Sequence, residues 1–170
     1  RLLNASRPAP AIRDIFTQGH LYGFECATAM VIVLYKAVLD TIGDFQFNRL
    51  FANLYLWDWH YDSDLRLITV SFKPESLPGD ILYFKNPGFN RETPEWQGVN
   101  VVNLGGGLYY GHGIGIDIAE RFIEYLNRNR RPGAFRSAYL MNQVSTPDFS
   151  YLYQVTTGDL RAERTYRRVI

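Results

Sequence analysis

Cysteine is almost missing from this chain: of 170 residues, Cys26 alone carries a thiol. A lone cysteine forms no disulfide within the chain and excludes any metal site built on several thiolates. Histidine is scarce as well, limited to His20, His60 and His112, and these show no metal-ligand spacing. An excess of one charge is also lacking. Eighteen Lys and Arg against 17 Asp and Glu leave a net charge of +1, so the whole chain has no electrostatic bias toward nucleic acid or a membrane surface. Arg161, Arg164, Arg167 and Arg168 do gather near the end. With no stacking platform or nucleic-acid motif beside them, they read as a solvated tail. The start of the chain has no basic-then-apolar signal layout. The most apolar run, Ala27 to Leu39, is broken by Thr28 and Lys36; it is too short to span a bilayer and reads as a buried helix. There is no Gly-x-Ser-x-Gly elbow, and Gly105-Gly-Gly107 has neither a lysine nor a following helix, so it fails as a phosphate loop.

What is present describes an ordinary globular protein: 46% apolar and 21% charged residues, with twelve Tyr, eleven Phe and three Trp. That aromatic share fits a rigid core or a groove lined with flat side chains. Residues 1–170 are expected to form one domain of catalytic type, with a polar lead-in at 1–10 and an Arg-rich tail at 158–170. Ala11 to Gln18 reads as a short helix and Phe24 to Ile42 as a central helix apolar nearly all round, stopped by Gly43. Asp44 then caps a second helix with Phe47, Leu50, Phe51 and Leu54 at helical spacing. Strands are expected at Leu65–Phe72, Ile81–Lys85, Val99–Leu104, Leu108–Ile116, Ala134–Gln143 and Phe149–Thr156, and a helix from Asp117 to about Asn129. The fold class is α+β: a cysteine-bearing helix packed on a curved antiparallel sheet of about five or six strands.

Cys26 falls at the mouth of the central helix, where the dipole and unpaired N–H groups favour the reactive thiolate. The same residue can serve as a small buried hydrophobe. Acyl transfer by a thiol also needs a proton acceptor within reach and a group that orients it. His112, between Gly111 and Gly113, is the best-placed acceptor; the competing reading is a satisfied core histidine beside a bend. Glu25 opposes thiolate formation unless it is paired, protonated or aimed at a substrate, and as a first-turn glutamate it complements the helix dipole. Asp58-Trp59-His60-Tyr61 puts an acid, a base and two aromatics together, with Asp58 and His60 on one strand face. Trp96 follows a proline-bearing loop and marks a candidate binding rim. Trp59, Tyr83 and Trp96 are candidate walls for a flat amide and a lysine stem.

The wording of the chain resembles the small bacterial transglutaminases of Bacillus spore coats, protein-glutamine γ-glutamyltransferases. The resemblance runs through Ala11-Ile-Arg-Asp14, Phe24-Glu-Cys-Ala-Thr-Ala29, Asp40-Thr-Ile-Gly43, Asp58-Trp-His-Tyr61, Gly79-Asp80, Leu82-Tyr-Phe-Lys-Asn-Pro87, His112-Gly113 and Ser137-Ala-Tyr-Leu140. It covers most of residues 11–156 in order; an N-terminal portion carried by family members is not in this sequence. The resemblance implies a papain-like, NlpC/P60-type thiol fold and a calcium-independent reaction with no cofactor and no metal. In that reaction Cys26 attacks a glutamine carboxamide, and the resulting thioester is opened by a lysine amine to give an isopeptide cross-link. Glu25 matches the glutamate beside the family nucleophile. The family motif Trp-x-Gly-Glu-Asn, which supplies a second catalytic group from its glutamate, here reads Trp96-Gln-Gly-Val-Asn100, so Val99 occupies that position. Catalytic candidates are therefore Cys26, His112, Glu25 and position 99. Substrate-binding candidates are Trp59, Trp96, Tyr83 and Asn100. Expected partners are glutamine and lysine side chains of proteins, coat proteins among them, with no nucleic acid and no membrane. The implied location is the mother-cell cytoplasm, on the forming spore coat. Two other readings compete: a glutamine-deamidating or cross-linking toxin domain, delivered into a target cell and accompanied by an immunity protein, and a non-catalytic coat scaffold.

Overall fold

The computed structural model describes residues 7–57, 60–73 and 75–157. Their contacts fall into two compact units, one of residues 7–23, 31–66 and 147–157 and the other of residues 24–30 and 67–146.

In the first unit, helix α1 (Pro8–Thr17) opens with proline at its first position, where the missing N–H costs nothing. Helix α2 (Cys26–Leu50), of which residues 26–30 count with the second unit, runs on past Gly43, whose φ of 77° and ψ of 166° break the helical path. Glycine takes that backbone without a Cβ penalty, as the sequence led one to expect. The part of α2 before Gly43 buries Val31, Leu34, Tyr35, Val38 and Leu39; beyond it Phe47 and Phe51 are fully buried. Tyr35 packs edge-on against both phenylalanines, with centroids 6.2 and 5.2 Å away, and its hydroxyl accepts the Asp62 N–H at 2.8 Å. By length and composition α2 could cross a membrane, but 61% of its apolar window is buried inside the fold.

Helix α4 (Phe149–Thr157) stands where a strand was expected. Its buried residues Tyr151, Leu152 and Val155 follow helical spacing, and Asp148 Oδ1 accepts the Tyr151 N–H at 2.9 Å as an N-terminal cap. The aromatic and β-branched content of the segment favours a strand; packing of one face overrides it. The Arg66 guanidinium lies 3.6 Å from the Tyr151 ring centre, a cation–π contact.

The second unit holds a seven-stranded antiparallel-paired sheet ordered β1-β7-β2-β3-β4-β5, with β6 paired to β2. The strands are β1 (Leu67–Val70), β2 (Ile81–Lys85), β3 (Gly98–Gly105), β4 (Leu108–Gly111), β5 (Gly115–Ile118), β6 (Tyr139–Leu140) and β7 (Val144–Pro147). The single strand expected at 108–116 is a hairpin instead, turning where Gly113 and Gly115 take φ of 84° and 103°. The strand expected at 134–143 shrinks to β6. Asp117, expected to cap the next helix, belongs to β5; helix α3 (Ala119–Arg128) starts one residue later than that cap implies, with Ile118 at the N-cap and no side-chain cap. Its Phe122 and Leu126, one helical turn apart, pack with Leu82, Phe84, Val99, Val101, Ala138 and Val144 in one buried cluster. Phe84 and Phe122 stack with centroids 5.3 Å apart and planes 10° from parallel.

Asp80 anchors the loop entering β2. It has no exposed surface, and its Oδ2 accepts both the Lys73 ammonium and the Leu77 N–H at 2.8 Å. Burial pushes its carboxyl pKa up. The bonds from Lys73, Leu77 and Thr146, together with the Lys73 charge, outweigh that and hold the pKa below its ordinary 3.8. A carboxyl lowered in the folded state adds stability that is complete above the unfolded value and is lost as pH falls through the lowered one. Removing one partner of a buried ion pair costs about 3 kcal/mol. Asp80→Ala should therefore lose about that much by urea unfolding at about pH 7, with the gap to the parent narrowing at about pH 3. An equal gap at both pH values contradicts this role for the carboxylate.

Candidate active site

The residues around the thiol all lie in the sheet-bearing unit. Cys26 opens α2 and is partly accessible. Before it, Glu25 caps the helix: its backbone carbonyl accepts the Ala29 N–H at 3.1 Å, while Oε2 accepts the Ala27 N–H at 2.7 Å and Oε1 the Thr28 N–H at 2.8 Å. The Thr28 hydroxyl also donates to Oε1. The Glu25 carboxylate is thus engaged by three donors within one turn, the pairing that its position beside a thiol demands. Its charge sits where orphan N–H groups and the helix dipole favour an anion.

Across from the thiol lies β3. The Asn100 side-chain N–H donates to Cys26 Sγ at 3.9 Å. Asn100 pairs in register with Tyr83 of β2, and side chains opposite each other in a sheet share a face. Burial raises the pKa of the Tyr83 phenol, and negative charge on the neighbouring Cys26 raises it further. Gly98 leaves room for that ring: a Cβ there would stand 2.3 Å from Tyr83 Cζ and Oη and 2.5 Å from the Phe84 carbonyl oxygen. The Trp-x-Gly motif therefore contains a glycine that the packing of Tyr83 requires.

His112 follows β4. Its Nε2 lies 3.0 Å from the carbonyl oxygen of Phe24, two residues before the cysteine. A carbonyl only accepts, so Nε2 is the donor in this contact and Nδ1 is the ring nitrogen it leaves for other partners. The Tyr110 hydroxyl is 3.5 Å from that Nδ1, at the limit of a hydrogen bond. The group that orients the imidazole is thus a main-chain carbonyl on the segment leading into Cys26, a contact spanning 88 residues of sequence that no local pattern announces.

Other expected residues go elsewhere. Val99 is buried in the α3 cluster with Phe84 and Val101. Successive strand residues point to opposite faces, so while Asn100 turns to the sulfur, Val99 turns from it, and the structure does not bring position 99 to the thiol. Trp96 packs against the same α3 cluster, its ring 5.3 Å from Tyr125. Asp58 and Trp59 lie outside the described residues. His60 occupies a loop, not a strand, and packs edge-on against Tyr55 at 5.7 Å. A cleft of about 320 Å³ at Phe72, Tyr139 and Met141 is lined by none of the candidate residues.

An α+β unit that sets a lone thiol at a helix start, opposite a sheet amide and with an imidazole tethered to the segment before it, belongs to the class of thiol-bearing α+β proteins. Comparison with known proteins narrows the class. The family model described as protein-glutamine gamma-glutamyltransferase matches residues 1–156, and the chain belongs to that family. A protein-glutamine gamma-glutamyltransferase of Bacillus mycoides is 49% identical over 154 residues, covering 91% of this chain and 55% of that protein. One from Bacillus pumilus is 49% identical over 148 residues, 87% of this chain and 59% of its own length. A solved transglutaminase from Geobacillus stearothermophilus, without its C-terminal extension, matches with a TM-score of 0.84 at 52% identity. It covers 91% of this chain and 73% of that one. The chain spans somewhat more than half the length of the curated relatives it matches. These relatives do not favour the toxin or the scaffold reading.

Because Val99 is enclosed by hydrocarbon, a carboxylate placed there is desolvated without a partner. Val99→Glu should cost about 3 kcal/mol in chemical unfolding and give no gain in activity. A variant of unchanged stability that gains cross-linking activity would show that position 99 reaches the thiol.

Proposed function

We propose that the chain is an acyltransferase of transglutaminase type, acting on glutamine side chains of proteins through Cys26. The observation that carries this reading is the Cys26 thiol itself, partly accessible at the start of α2 and facing a sheet donor, in a chain about 50% identical to named transglutaminases. The Cys26 thiolate attacks the carboxamide carbon of glutamine. The carbon–nitrogen bond breaks, and the departing nitrogen takes a proton and leaves as ammonia. A lysine amine then attacks the thioester, loses a proton, and expels the thiolate to leave an isopeptide bond; water in place of the amine gives glutamate.

His112 handles these protons through Nδ1, the nitrogen its tether to Phe24 leaves for other partners. Glu25 stays a cap, while Tyr83 and Asn100 flank the reacting group. The arrangement is papain-like, of NlpC/P60 type, in having the nucleophile at a helix start and the histidine on the sheet that follows. No step here calls on calcium or a cofactor, so the proposed reaction is calcium-independent. The proposed partners are proteins presenting glutamine and lysine, coat proteins among them, and the proposed setting is that of the Bacillus relatives, the forming spore.

Mass spectrometry of a glutamine-donor peptide tests the proposal, with and without a primary amine. The expected product is the peptide joined to the amine with loss of ammonia, formed by the parent chain and not by Cys26→Ala. Product formed equally by Cys26→Ala, or no conversion by the parent chain, would overturn it.

A further inference from the structure

We propose that Asn100 is a positioning residue that holds Cys26 as the thiolate through its side-chain N–H. The inference rests on the reading of Cys26 as nucleophile and adds the group that keeps it ionised. Three groups that titrate belong to this site, and none of them is a fixed positive charge on the sulfur. Glu25 is adjacent and negative, and its carboxylate takes up the N–H groups of Ala27 and Thr28, the donors that would otherwise present the positive end of α2. Tyr83 stays a neutral phenol, its pKa raised by burial and then by the thiolate. His112 is held through Nε2 on the Phe24 carbonyl and exchanges a proton at Nδ1, so it is not a permanent charge. The position where the family motif places a glutamate is Val99, and it faces the core.

What remains against the sulfur is the Asn100 amide, 3.9 Å from Sγ. Its place is fixed by the β2–β3 ladder, where it pairs with Tyr83. An amide neither gains nor loses a proton across the working range, so its donor is present at every pH. A hydrogen bond to the charged form favours that form. The Asn100 contact therefore offsets the Glu25 charge and lowers the pH at which the thiol ionises.

The pH dependence of Cys26 alkylation by iodoacetamide tests this on the full chain, with near-ultraviolet circular dichroism as the check on folding. Asn100→Leu removes the donor at similar volume; Asn100→Asp keeps the shape and replaces the donor with a negative charge. The expected result is a midpoint moved up by about one pH unit in Asn100→Leu, with about tenfold slower alkylation below it, and a larger upward move in Asn100→Asp. Should Asn100→Leu lose its native spectrum, Asn100→Asp decides alone. A folded variant whose midpoint coincides with that of the parent overturns the role of Asn100. A parent thiol no more reactive than free cysteine overturns the reading of Cys26 as an activated nucleophile, so the two failures are distinguishable.

Discussion

Strand β3 imposes the constraint on which the site depends. Its side chains alternate, and the phase of that alternation is fixed by the buried cluster on one face: Val99 and Val101 join Phe84, Phe122 and Leu126. Asn100 is left to face the sulfur. Slipping the β2–β3 register by one residue would exchange the two faces and send the valines to the thiol and the amide into hydrocarbon. The register Tyr83↔Asn100 and Phe84↔Val99 thus places polar donors at the cysteine by the same packing that builds the core. Gly98 belongs to this device, because only a missing Cβ lets the Tyr83 ring settle across β3.

The other half of the site is built by the start of α2, where stability and reactivity pull in opposite directions. Glu25 satisfies helix N–H groups and complements the dipole, yet its charge disfavours a neighbouring thiolate. Two features of the surroundings stand beside it. One is the amide of β3. The other is the tether of His112 to Phe24, which commits one ring nitrogen to the main chain and leaves the other free to take a proton. The arrangement brings an amide donor to the sulfur and an imidazole to the segment before it, while position 99 of the strand is a valine that faces the core.

Much of this was legible in the sequence, and the rest was hidden for identifiable reasons. Strand β2 spans the expected Ile81–Lys85, and β3 exceeds its expected span by one residue at each end, because both are apolar segments bounded by turn residues. The break at Gly43 could be read from composition alone. The helix at Phe149–Thr157 was hidden because aromatic and β-branched residues carry a strand preference that one-sided packing overturns. The hairpin at Gly113–Gly115 was hidden because its short turn interrupts an otherwise continuous apolar pattern. At the site, Cys26, His112 and Asn100 were each identifiable as residues, but not their relations. The His112–Phe24 contact joins distant segments, and the direction in which Val99 points depends on α3, which a strand pattern does not reveal.

The chain matches the family over residues 1–156 while spanning little more than half of its curated relatives, so the chemistry attributed to it must be shown on this chain itself. The most direct measurement is intact-mass spectrometry of the protein after brief incubation with a glutamine-donor peptide and an acid quench, followed by proteolytic mapping. The expected product is an adduct equal to the peptide less one ammonia, bound at Cys26 and released by hydroxylamine. An adduct that maps to any other residue, or an unmodified Cys26 while the peptide is being consumed, would contradict it.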